Sequence, residues 1–471
     1  MPVSMLDGAA PITSAFKALQ IPLNTSSKAA AAAGRTLSLG FDLARSVSDT
    51  GFSMARYWTE ALQLPGAPPA ADIIKMNGGA VERWMAATQR RLTGAFEAFS
   101  RQRDGEVEFF KLFSESPPCQ ALTSAHAPGD LMIETPSLRL WDVSAGGLHA
   151  LDNYTVVFAP RAGHHSNIAE RAALFLRDCG LSRMAIVEQK CAEEIPLYVD
   201  GKRHRENFEG QIVQYRQVLE HLKDRTGRPA HLVAVCQPGP LLMATLILYP
   251  ELGRSFGSAG APMDTEAQSG FLTDFSRAVG PHFIDLMLGI FGRQVGSGQA
   301  GRGRRIYDGR LQVLGFYLLG WDRHLANFKR LLDDLRTGKS ESAQRQIAFY
   351  QWYNHVHHFP AGFIRDTFKK IFVKNELIRG RLSLMGRTVG IGDYPAGIPI
   401  WALGGDKDDI APPLQATGHM DRIASVPPED KLTLLCDGGH MALFRSERVL
   451  KQYYTQIARF LLDRSDFSNR G

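Results

Sequence analysis

The chain has 471 residues, 44% hydrophobic and 22% charged, with a formal net charge of +6. That balance fits a soluble globular protein with a sizeable core, in one large domain with an insertion or in two. The basic excess is modest and carries no dense Lys/Arg block with interleaved aromatics, so nothing points to nucleic acid, and the strongest basic run, GRGRR at 301–305, reads as a solvated loop.

The five cysteines are scattered and form no CxxC pair. That argues against a disulfide framework or a zinc site and for a reducing compartment. The start MPVSMLDGAAPITS lacks a basic segment followed by an apolar one. The longest apolar runs, 241–248 and 283–291, are too short to span a bilayer. A cytoplasmic protein is expected.

Residues 1–115 read as helical. KAAAAAGR (28–35) favours helix through its alanines, and residues 41–64 carry Phe41, Tyr57, Trp58 and Leu62 at rough helical spacing. These helices either pack on the main body or form an amphipathic surface-binding segment. SESPPCQ (114–120) marks the boundary. From about 135 the pattern changes. Strand is expected at 153–160, helix at 166–180, strand at 184–188, helix at 207–223, then a strand reaching Cys236 and a helix beyond it. Strand alternating with helix describes a parallel sheet with crossover helices. The pattern stops near 265 and resumes near 397, with strands at 399–405 and 431–436 and a closing helix at 446–464. The expected organisation is an α/β core of residues 135–265 and 396–471, interrupted by a mostly helical cap at 266–395.

AVCQPG (234–239) places Cys236 between a buried strand and a helix, the setting of a nucleophile elbow. Neighbours two residues away must be compact there; they are Ala234 and Pro238, and the commoner glycines are missing. By itself the segment favours a buried core cysteine. Asp408, in GGDKDDIAPP, follows a strand where an orienting carboxylate is expected, with Asp406 and Asp409 as competitors. His440, in CDGGHMALF, follows a strand and two glycines. Cys236, Asp408, His440 is the order nucleophile, acid, base. Histidine can take the thiol proton, and the acid can fix the histidine tautomer. The backbone N–H of Gln237 would supply half of an oxyanion hole, and the loop APRAGHHSN, through Gly163 and His164, the other half. Cys436 lacks an elbow and reads as core. His355 and His357, two apart, fit no common helical metal pair. QVGSGQAGRG (294–303) lacks the Lys-Ser/Thr ending of a phosphate-binding loop and reads as a mobile loop.

On these segments the chain resembles the intracellular poly(3-hydroxybutyrate) depolymerases, cysteine-dependent members of the α/β-hydrolase superfamily. The likeness runs through AVCQP, GSAGAPMDT (257–265), the cap stretches 303–335 and 349–372, GDKDDIAPP and GGHMALF, over roughly residues 150–465. The resemblance implies an α/β-hydrolase fold and Cys236, Asp408 and His440 as nucleophile, acid and base. It also implies ester hydrolysis in a storage polyhydroxyalkanoate at the granule surface, with no metal or organic cofactor. An oligomer is compatible with the sequence. Two segments depart from the family: APRAGHHSNIAER stands where a form like APLSGHFATLLRG is usual, and VEQKCAEEIPL (187–197) replaces a tryptophan-containing strand end. A polyester synthase or acyltransferase would use the same triad, and a granule-surface protein with a vestigial triad is the non-enzymatic reading.

Overall fold

The computed structural model describes Leu112, Leu122 and residues 130–146, 151–162, 164–336 and 340–467. The helices expected before residue 115 and the expected donor Gly163 lie outside the described residues, Leu112 apart. The chain divides into two compact units, Met1–Pro118 with Val313–Asn354, and Cys119–Gln312 with His355–Gly471. In the first, helices Trp321–Arg336 and Ser340–Asn354 pack together around aromatic contacts such as Phe328–Tyr350.

The second unit is built on eight strands: β1 (Leu131–Glu134), β2 (Leu138–Asp142), β3 (Thr155–Phe158), β4 (Met184–Gln189), β5 (Ala230–Val235), β6 (Gly253–Ala259), β7 (Ile400–Gly405) and β8 (Lys431–Cys436). Their spatial order is β1-β2-β4-β3-β5-β6-β7-β8. The hairpin β1–β2 runs antiparallel along β4, and every pairing from β4 to β8 is parallel. That order, with its antiparallel start, is the α/β-hydrolase sheet.

β3, β4, β5 and β7 are buried along their whole length, as strands covered on both faces must be. Alternate residues therefore serve different layers. Val156, Phe158, Leu232, Ala234 and Phe256 join one core with Ile212 and Tyr215 of helix α2 (Phe208–Thr226) and Leu241 and Leu242 of α3 (Gly239–Leu248). α2 begins where Asn207 accepts the Gly210 N–H and ends at Gly227, whose φ of 70° is a left-handed cap. α1 (Glu170–Asp178) packs on β4 and against the C-terminal helical segment. Trp401 on β7 lies opposite Gly257 on β6, and a Cβ at 257 would stand 1.8 Å from the indole, so glycine there makes room for the largest buried side chain.

The structure departs from expectation in three places. The β1–β2 hairpin was not expected as strand. The expected closing helix at 446–464 is divided into Glu447–Val449, a π-turn at Leu450–Tyr454, and Thr455–Leu462. The inserted region holds strands as well as helices. QVGSGQAGRG joins Arg293–Gln294 to Arg305–Tyr307, which also pairs with Phe359–Pro360. Further on, Leu382–Leu384 and Arg387–Val389 form a hairpin turned by Met385 and Gly386, both at positive φ.

Candidate active site

β5 ends at Val235, and α3 begins at Gly239, so Cys236 opens the turn between them. The turn between them is sharp enough to hold Cys236 at φ 62°, in the left-handed region that a side chain enters only under constraint. Cys236 N–H donates to Ala259 O (2.9 Å), tying the turn to β6, and Cys236 O accepts from Gly239 N–H (3.2 Å). Pro238 sits at φ −62°, which is where its ring holds it anyway, so it pre-sets the helix entry. The close approach falls one residue later. A Cβ on Gly239 would lie 2.6 Å from Ala261 Cβ and 2.7 Å from Met263 Sδ. This resolves the missing glycine of the motif.

The other two residues meet at the carboxyl edge of the sheet. Asp408 follows β7 and His440 follows β8, and their loops are stitched together. Asp406 N–H donates to Cys436 O (2.9 Å), Lys407 N–H to Gly438 O (3.2 Å), and Gly438 N–H to Asp406 Oδ1 (2.8 Å). Gly405 permits this approach, since its Cβ would lie 2.3 Å from Gly438 O. Asp408 is buried. Its Oδ1 accepts from Ile410 and Ala411 N–H (2.9 Å each), and its Oδ2 accepts from His440 Nδ1–H (2.7 Å). The competing Asp406 is exposed and serves the loop backbone, and it is Asp408 that holds the histidine.

His440 is also buried, and the Cys236 sulfur is one of the groups that act on its ring. Burial alone presses an imidazole toward neutrality. The Asp408 carboxylate and the Cys236 sulfur outweigh that and hold the His440 pKa well above its ordinary value. Gly260, at φ 57°, closes the space below the ring: its Cβ would stand 2.8 Å from Leu443 Cδ1 and 3.2 Å from His440 Cε1. Phe444 meets the imidazole edge-on. Cys436 is buried, with its thiol pushed up to about 11 by burial, as suits a core residue.

Gln237 has two parts to play. Its backbone N–H, at the start of α3, has no acceptor among the described residues. Its side-chain Oε1 accepts from Arg161 N–H (2.9 Å), fastening the loop after β3 to the elbow. His164, on that loop, is buried. His165, the next residue, is buried as well. Asn167 N–H donates to its Nδ1 (3.2 Å), leaving Nε2–H to donate to Glu188 Oε1 (3.2 Å). Glu188 also accepts from Trp141 Nε1 (2.6 Å). Burial works to raise the Glu188 pKa, but His165, Trp141 and Arg139 hold it below the usual range. The two segments that depart from the family pattern thus meet in one buried network. His357 packs edge-on to His165 at 5.1 Å, and burial lowers its pKa well below the ordinary value. Among the described residues, no group of three or more His, Cys, Asp or Glu side chains is placed to hold a metal.

A strained strand–turn–helix cysteine, a buried Asp–His pair at the sheet edge and this strand order together define an α/β-hydrolase. Over residues 260–465 the chain matches the family model described as "PHB de-polymerase C-terminus". No curated protein matches the chain. Among solved structures it is similar to a monoacylglycerol lipase of Paleococcus ferrophilus (13% identity, 69% of this chain and 99% of that one, TM-score 0.38). It is also similar to a meta-cleavage product hydrolase of Pseudomonas fluorescens IP01 (14%, 69% and 94%, TM-score 0.37) and a thermophilic esterase of Thermogutta terrifontis (11%, 72% and 97%, TM-score 0.34).

Proposed function

We propose that the protein hydrolyses ester bonds of a poly(3-hydroxybutyrate)-type storage polymer or its oligomers, with Cys236 as nucleophile, His440 as acid and base, and Asp408 as its orienting carboxylate. The observation that carries this reading is Cys236 held at φ 62° on the turn after β5, with its sulfur acting on a histidine that Asp408 anchors at 2.7 Å. The thiolate adds to the ester carbonyl, and the oxyanion faces Gln237 N–H at the α3 N-terminus, with the second donor from the 159–164 loop. The carbon–oxygen bond breaks, and the departing alkoxide takes the His440 proton. His440 then accepts a proton from water, hydroxide adds to the thioester carbonyl, and the carbon–sulfur bond breaks to return the thiolate.

The polymer assignment has support from the surface beside the site. Helix α4 (Phe271–Val279) buries Thr273 and Ser276 and turns Phe271 outward, 60% exposed. Thr273 Oγ1 accepts from Gln415 Nε2 (3.0 Å), on the segment that follows the Asp408 loop. Phe271 stacks on Phe275, which meets Phe283 of helix α5 (Phe283–Phe291), where Leu286 is also exposed. An apolar face directed to solvent next to a hydrolytic site suits an insoluble polyester, and the protein would work at the granule surface inside the cell.

The test is turnover on amorphous polyester granules and on soluble hydroxybutyrate oligomers, wild type beside Cys236→Ala. Release of 3-hydroxybutyrate units by wild type and none by the folded variant is expected. Wild-type rates in Cys236→Ala would overturn the mechanism. Growth of polymer from a hydroxyacyl-thioester donor would instead identify a synthase, and granule binding without turnover a binding protein.

A further inference from the structure

On the second unit lies a cleft of about 440 Å³ lined by Arg203, Arg205, Arg304, Arg305, Arg365 and His204, among others. The volume falls in the range of small-ligand sites. Its two acids are already engaged. Glu206 has a fully buried side chain, meets His204 Nε2 at 2.7 Å and faces Arg161 at 3.8 Å. Asp366 accepts the Phe208 N–H (3.1 Å) and pairs with Lys370 (3.7 Å).

The arginines are not offset in return. Arg365 has Asp285 (2.7 Å), but the other four have no carboxylate within ion-pair distance among the described residues. Arg304 is buried, not solvated as its GRGRR segment suggested, and spends its donors on carbonyls: Ile195 O (3.1 Å), Pro196 O (2.6 Å) and His204 O (3.4 Å). Arg305 donates to Leu288 O (2.6 Å). Carbonyls satisfy the N–H groups and leave the charge in place. Burial lowers the Arg304 pKa; Glu206 works against this, while Arg161 and Arg203 add to the lowering. Arg203 and Arg205 are exposed and make no side-chain hydrogen bond or ion pair among the described residues. They stand two apart on extended chain leaving the hairpin Tyr198–Val199/Lys202–Arg203, and both line the cleft.

We propose that this cleft binds a phosphate-class oxyanion, gripped by Arg203 and Arg205 over a floor kept positive by Arg304 and Arg305. Guanidiniums offer forked donors that match tetrahedral oxyanions, and gathering them without counter-charge is unfavourable until an anion arrives. The site also has a physical route to the elbow. His204 bonds Glu206, Glu206 faces the Arg161 guanidinium, and the Arg161 N–H holds Gln237.

The inference stands apart from the polyester reading, because its readout is binding rather than turnover. Full-length protein is titrated calorimetrically with inorganic phosphate, pyrophosphate and 3-hydroxybutyrate at fixed ionic strength. Wild type is compared with Arg203→Ala/Arg205→Ala and with Arg381→Ala/Arg387→Ala, an exposed pair outside the cleft that removes the same charge. Saturable phosphate or pyrophosphate binding is expected, weakened about tenfold or more in the cleft variant and unchanged in the control, with both variants melting like wild type. Equal weakening in the control, absence of saturable binding, or tighter binding of the hydroxycarboxylate than of phosphate would each overturn the proposal.

Discussion

Replacing Asp408 by asparagine tests the geometry most directly. The side chain keeps its shape, and its oxygen can still accept from Ile410 and Ala411 N–H. The other terminus becomes an amide N–H₂ facing His440 Nδ1, where the carboxylate accepted at 2.7 Å. Two donors cannot share that contact, so the imidazole must present Nδ1 as acceptor and carry its proton on the nitrogen facing Cys236. It then cannot take the thiol proton. The imidazolium also loses a buried counter-charge, an interaction worth about 4 kcal/mol at a separation of about 4 Å and an effective dielectric near 20. That corresponds to a fall in kcat of about three orders of magnitude, and the same change in a Ser-His-Asp triad costs about four. The assay is steady-state hydrolysis of a soluble hydroxybutyrate oligomer, with melting temperature as the folding control. Asp406→Asn is the internal standard: exposed and bonded only to loop backbone, it should change kcat less than about threefold. Comparable activity in the two variants would refute the assignment of Asp408.

Gly260→Ala forces a side chain into left-handed backbone against Leu443 and His440. It should cost about 2 kcal/mol of stability, seen by denaturant unfolding, and lower kcat more than KM rises. His231 and His419 are buried, and burial depresses their pKa values to about 3 and about 4. Below an unfolded pKa of about 6.5 the unfolded chain binds protons that these folded sites refuse, so stability falls as pH drops. At pH 5 each histidine accounts for about 2 kcal/mol; replacing His231 by glutamine should flatten the acid limb of the unfolding free energy. Phe271→Asp, on the exposed face of α4, should reduce hydrolysis of granules while leaving soluble oligomers within about twofold. Equal losses on both substrates would count against a polymer-facing role.

The elements that the sequence revealed are those whose patterns are local. β5, the turn and α3 follow from apolar runs broken by Gln237-Pro238-Gly239, and His440 and the acid loop follow strand ends, while only the fold separates Asp408 from Asp406 and Asp409. The hairpin β1–β2 was hidden because β1 is only half-buried, with Leu131, Met132 and Ile133 in one unbroken apolar run that carries no period. The π-turn at Leu450–Tyr454 leaves the helical periodicity nearly intact, so no residue announces it. Contacts across long stretches of chain were beyond reach for a different reason. Gln237 holds Arg161 N–H from 76 residues away, and Glu188 gathers Trp141 and His165 from two other segments. Such pairings are products of the sheet order, which composition and spacing do not encode. The puzzle of Pro238 is of the same kind. Only the packing of Gly239 on Ala261 and Met263 shows that the turn finds its clearance one residue later than the usual motif places it.

The backbone at Cys236 also constrains how this site can change. At φ 62° an unbranched side chain is tolerated, but a second heavy atom on Cβ crowds the main chain. Threonine is therefore excluded by conformation, whatever base stands beside it. Exchange of sulfur for oxygen alters one atom and leaves the turn untouched. The turn thus acts as a filter on mutational routes, leaving serine open at position 236 and closing the branched alternative before chemistry is ever tested.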